Sequence, residues 1–135
     1  MCKIFISADP DLYRCRTRSL RIEGVATSIR LENQFWRVLE EIGARDGLSV
    51  PQLIATLHAE LAAAGGDCDN FSSFLRVCCG RYLALQAGGL IPADTSVPIR
   101  SLDADWVLAG ERAASRRPNG AAAYPKVGAR NTAQI

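Results

Sequence analysis

Four arginines, Arg14, Arg16, Arg18 and Arg21, fall within eight consecutive residues with no acid among them, and Ser28 and Arg30 follow shortly after. An arginine offers planar, paired donors that suit phosphate oxygens and the O6 and N7 edge of guanine. The chemistry implied is anion and base recognition. The other reactive side chains lead nowhere comparable. Cys2, Cys15, Cys68, Cys78, Cys79 and the single His58 fit no metal-ligand spacing, so neither metal nor cofactor is expected. Cys78 falls on an apolar helix face as a small hydrophobe, and His58 sits beside an apolar stripe as a packing group. No nucleophile, base and orienter can be assembled, which argues against an enzyme.

The totals place these residues in a soluble globular chain. Of its 16 basic residues 14 are Arg, and the net charge is only +2. The charge is unevenly distributed: residues 1–30 carry six basic and three acidic groups, residues 31–87 four and seven, and residues 88–135 six and four. Positive ends flank an acidic middle. The odd cysteine count with no signal-peptide pattern points to a reducing cytoplasm, and no run approaches the ~18 apolar residues of a membrane span.

Three parts are expected: an N-terminal segment with a basic arm (1–17), a folded domain (18–87) and a mostly disordered tail (88–135) rich in Ala, Gly, Pro and Ser. In the first, Ile4-Phe5-Ile6 reads as a small strand or a hydrophobic peg, and Asp9-Pro10-Asp11 as a turn. In an extended chain Arg14, Arg16 and Arg18 share one side, either as an arm along a phosphate backbone or as a charged edge strand. Leu20 and Ile22 alternate with polar neighbours, Glu23-Gly24 can turn, and Val25 to Leu31 alternates again. Val25, Thr27, Ile29 and Leu31 form the face for burial; Ala26, Ser28 and Arg30 face water or a ligand. So short a strand needs a partner, most simply from a second copy of the chain, although a local hairpin also fits.

A helix should then start at Glu32 or Asn33, with Asn33 the better cap. Its buried stripe is Phe35, Val38, Leu39 and Ile42, with Trp36 at the margin, and Arg37, Glu41 and Arg45 pair on the exposed side. Asp46-Gly47 ends it, with Gly47 left-handed. The next helix is capped by Ser49, or by Val50 with Pro51 at its first position, and buries Val50, Leu53, Ile54, Leu57 and Leu61 before Gly65-Gly66. Asn70 caps a third, running to about Gln86, with Phe71, Phe74, Leu75, Cys78, Tyr82 and Leu85 on one face. Within the tail, Leu102, Trp106, Ala109 and Ala113 are spaced for a short amphipathic helix.

The TSIRL strand at Thr27 to Leu31, the Phe35/Leu39/Ile42 helix and DGLS at Asp46 to Ser49 resemble the ribbon-helix-helix family of bacterial DNA-binding proteins, relatives of the Arc and Met repressors. With Arg18 to Arg21 before them and Asn70 to Leu83 after, the likeness extends to a larger subgroup with a third helix. It implies a mainly α fold with a short β-ribbon (α+β), built as an intertwined homodimer whose ribbon lies in the major groove of double-stranded DNA. By position, Ala26, Ser28 and Arg30 would face bases. Backbone amides of Leu48, Ser49 and Val50, together with Arg14, Arg16, Arg18 and Arg21, would hold phosphates. The expected role is transcription regulation. The alternative is a dimeric interaction module, antitoxin-like, whose tail around Trp106 binds a partner protein.

Overall fold

The computed structural model describes residues 2–117. In chain order these form α1 (Cys2–Ile6), α2 (Pro10–Tyr13), β1 (Cys15–Ile22), β2 (Val25–Glu32), α3 (Asn33–Arg45), α4 (Val50–Ala63), α5 (Phe71–Ala87), a 3-10 turn (Ile99–Ser101) and α6 (Ala104–Ser115). Two compact units result, Met1–Arg81 and Tyr82–Ile135.

In the first unit β1 and β2 pair antiparallel along their whole length, from Cys15 opposite Glu32 to Ile22 opposite Val25. The partner that β2 requires is therefore supplied by its own chain, and the expectation that a second copy donates it is corrected. A two-residue connection explains this. Glu23 (φ 51) and Gly24 (φ 77) both take left-handed angles, as a type I′ hairpin turn demands, and closing so short a loop costs little chain entropy.

Period-two alternation then sends Leu20, Ile22, Ile29 and Leu31 to one side, where they pack on Trp36 and Leu39 of α3, Val50, Leu53 and Ile54 of α4, and Phe71, Leu75 and Cys79 of α5. Trp36, expected at the margin of its helix, is wholly buried, whereas Phe35, Val38 and Ile42 are half-buried. The reason lies in β1: the Trp36 indole Nε1 donates to the Arg16 carbonyl at 2.9 Å, which satisfies the polar edge of the ring inside the core. Cys79, rather than Cys78, is the fully buried thiol of α5. Burial pushes that thiol up to about 12, out of reach of nucleophilic chemistry.

The helix ends show how the elements are joined. Glu32 is the N-cap of α3 without a side-chain capping bond, and Asn33, expected as the cap, instead sends its amide Nδ2 to the Asp11 carbonyl at 3.0 Å. Arg37 donates to Asp11 Oδ2 at 2.8 Å, so α2 is fastened to α3. Glu32 accepts two bonds from Arg76, from Nε at 2.9 Å and Nη2 at 3.2 Å, tying the start of α3 to α5. Arg45, expected on the exposed side, is buried at the end of α3, where the helix dipole favours a cation. Between α3 and α4 the chain folds tightly onto Gly43, whose carbonyl accepts from both Asp46 and Leu48.

In the second unit, Asp103 Oδ1 caps α6 by accepting from the Trp106 amide at 3.2 Å. The buried residue of α6 is Val107, and Gly110 stands against Leu90. The stripe read from the sequence, Leu102, Trp106, Ala109 and Ala113, is thus mostly the solvent side of this helix. The part of the expected disordered tail beyond Arg117 lies outside the described residues. Among the described residues no helix is long and apolar enough to cross a membrane.

Two stability measurements follow. A Cβ at Gly43 would lie 2.8 Å from the Leu48 carbonyl oxygen, so Gly43→Ala should cost about 1–3 kcal/mol in urea unfolding, because backbone has to move. The Arg76 hydrogen bonds hold the Glu32 carboxyl below its ordinary value of 4.5. Its contribution is complete above that value and is lost as the pH falls through the lowered one. Wild-type stability should therefore drop across this acid range more than that of Arg76→Ala.

Candidate nucleic-acid interface

The register of the hairpin decides which side chains can meet a ligand. Residues opposite one another share a face, so Thr17 with Arg30, Ser19 with Ser28, and Arg21 with Ala26 stand together on the side away from the helices. All six are exposed. No apolar side chain larger than alanine is among them. These six offer two guanidinium groups, three hydroxyls and the methyl groups of Ala26 and Thr17, a set able to donate to guanine, bond to several base edges or phosphates, and touch a thymine methyl; Cys15 and Glu32 share their parity at the open end, where Arg76 holds the Glu32 carboxylate.

Ala26, Ser28 and Arg30, expected to face bases, are exposed together on β2. Among the described residues, no hydrogen bond or ion pair holds the Arg30 guanidinium. Thr17 and Ser19 on β1 were missed by the sequence reading. A signal for them existed, because Leu20 and Ile22 are apolar and the odd-numbered residues of the same strand must point the other way.

The same rule divides the arginines expected at phosphates. Arg21 is on the outward face, with Nη1 donating to the Gly24 carbonyl at 3.2 Å beside the turn. Arg16 and Arg18 share the parity of Leu20 and Ile22 and so project toward the helices. Arg18 lies over the Trp36 ring, its Cζ 5.3 Å from the centroid, and Arg16 approaches Glu40 at 4.0 Å. Arg14, just before β1, is exposed and 3.6 Å from Asp11. The structure thus brings Arg21 and Arg30 to one surface and turns Arg16 and Arg18 toward another.

The start of α4 is largely satisfied by the chain itself. The Leu48 amide donates to the Gly43 carbonyl at 2.8 Å, and the Ser49 amide to Gln52 Oε1 at 2.9 Å. Ser49 Oγ accepts from the Gln52 amide in return, which completes a capping box. Val50, the third residue expected there, is buried. A phosphate would reach the Ser49 amide only after the Gln52 side chain had swung away. His58 packs edge-on against Phe71, with ring centroids 5.0 Å apart, and its Nδ1 is buried without a hydrogen-bond partner. No group of His, Cys, Asp and Glu among the described residues is arranged to hold a metal ion.

Comparison with known proteins bears on the whole of this unit. A family model described as a ribbon-helix-helix domain matches residues 15–83, from the first residue of the hairpin into α5. Among solved structures, an uncharacterized protein from Bordetella pertussis Tohama I is 56% identical, with a TM-score of 0.79 over 93% of this chain and 94% of that one. No curated protein matches the chain.

The two groups of arginines should separate in a stability assay. Arg18→Ala removes the cation over Trp36 and should cost about 0.5–2 kcal/mol in thermal or urea unfolding. Arg30→Ala, on the open face, should leave the unfolding midpoint within error.

Proposed function

The chain belongs to the ribbon-helix-helix family, and from that premise we propose that it acts as a homodimer binding double-stranded DNA, with the open face of the hairpin in the major groove, as a transcriptional regulator. The observation that carries this reading is the sorting of the hairpin: every large apolar side chain within its core lies on the helix side, and Thr17, Ser19, Arg21, Ser28 and Arg30 are left on the other. A two-stranded ribbon suits a groove about 12 Å wide.

Arg30 reads guanine through two donors, with Ser28 and Ser19 beside it as less discriminating contacts. Ala26 contributes only apolar contact. Arg21 and Arg14 meet phosphates and release counterions, and the Ser49 amide joins them once Gln52 moves. A second copy covers the half-buried apolar surface left by Phe35, Val38 and Ile42 on α3 and Leu57 and Leu61 on α4. The outward Trp106, 59% exposed on α6, favours a second reading in which this helix engages a partner protein. The two readings are compatible, since they use different units of the chain.

Fluorescence anisotropy with duplex DNA tests the first reading. Binding should weaken steeply as salt rises, and Arg21→Ala should reduce the salt slope by about one phosphate contact. Arg30→Ala should lose about 1–3 kcal/mol of discrimination between preferred and unrelated sequences. Salt-independent binding, or discrimination unchanged in Arg30→Ala, would overturn the ribbon assignment. Trp106→Ala should leave DNA binding as it is.

A further inference from the structure

Besides the α3 and α4 surface assigned above to a second copy, two further features of the first unit lack a partner among the described residues. One is α1, whose five residues are all exposed, with Ile4, Phe5 and Ile6 at 78%, 70% and 78%. Exposure of three consecutive large apolar side chains is unusual for a surface that meets only water. The other is a cleft of about 460 Å³ at the turn end of the hairpin. Its open apolar side chain is Val25, 65% exposed, beside the edges of Ile22, Ile29 and Phe71, which are themselves buried in the core; the rest of the lining is largely polar and includes the acids Glu23 and Asp69.

We propose that α1 of one copy docks in this cleft on a second copy, with Ile4, Phe5 and Ile6 against Val25 and the apolar edges beside it and Lys3 toward Glu23 and Asp69. The inference rests on the homodimer proposed above and names a contact that holds it together. Charge complementarity supports it, because Lys3 is the only basic residue before Arg14 and the lining of the cleft includes the acids Glu23 and Asp69.

Chain length explains why the occupant is a second copy. The Asn33 amide and Arg37 fix Asp11, and hence the chain after α1, at the open end of the hairpin. From Ile6 to Pro10 the chain spans at most about 14 Å even when fully extended. The hairpin from Asn33 to Val25 is about 26 Å long. Hydrogen bonds from the Ser7 amide to the Lys3 carbonyl and from the Ala8 amide to the Phe5 carbonyl shorten the link further. The backbone of α1 therefore falls short of the turn end of its own hairpin, where Glu23 and Val25 lie, and none of its five residues is buried within its own chain. Two copies related by a two-fold axis, with their hairpins antiparallel, bring the open end of one toward the turn end of the other, and the exchange is reciprocal.

Phe5→Ser and Val25→Asp test the contact, since both side chains are exposed within one chain and neither change disturbs the core. In sedimentation equilibrium on the full chain, each should raise the dimer dissociation constant on the order of tenfold or more. The double variant should be little worse than either single one, because both remove the same contact. The unfolding of the isolated subunit should be unchanged. A wild-type chain that stays monomeric at all concentrations would overturn both the homodimer and this contact. A dimer indifferent to Phe5→Ser and Val25→Asp, or weakened by them additively, would overturn the contact alone.

Discussion

The in-register pairing of β1 with β2 is the constraint on which the rest of the molecule depends. Because side chains alternate along a strand, fixing Ile22 opposite Val25 fixes the side taken by every residue back to Cys15 and Glu32. A slip of one position would bring Arg30 and Ser28 to the helices and expose Ile29 and Leu31. The type I′ turn at Glu23-Gly24 forbids that slip at one end. At the other, the Asn33 amide donates to the Arg14 carbonyl at 2.9 Å and carries the pairing into the first residue of α3.

From this register follows the division of positive charge. Arg16 and Arg18 serve the core's edge, where Trp36 accepts the Arg18 cation on its ring and donates its indole hydrogen to the Arg16 backbone. Arg21 and Arg30 remain on the open face. The proposed DNA surface is consequently smaller in charge than a count of arginines suggests, but broader in hydrogen-bonding groups, because β1 adds Thr17 and Ser19 to the residues of β2. The capping box at Ser49 works in the same direction. A helix start that satisfies its own amides leaves the proposed recognition chiefly to the hairpin.

Much of this architecture was legible because it rests on short-range patterns. The alternation of Val25 to Leu31, the Ser49 and Pro51 helix start, and the apolar spacing of α3, α4 and α5 can be read from neighbours alone. Trp36 could not be placed that way, since its burial depends on a carbonyl twenty residues earlier in the chain. The source of β2's partner was also undetermined by pattern, as a second copy and a local hairpin satisfy the same apolar face. The direction of Arg16 and Arg18 was within reach, for they share parity with Leu20 and Ile22; grouping them by charge concealed it. On α6, helical spacing allowed a short helix within a tail read as mostly disordered but did not show its buried side, because Val107 and Gly110 are selected by what they pack against rather than by a wide apolar stripe.

The proposal that the open hairpin face reads DNA is tested most directly by selecting bound sequences from a pool of random duplexes with the full-length protein. Enrichment of a two-fold symmetric motif, with guanine at matching positions in both halves for Arg30, is the expected result. Recovery of a pool indistinguishable from the input would contradict sequence reading by the ribbon.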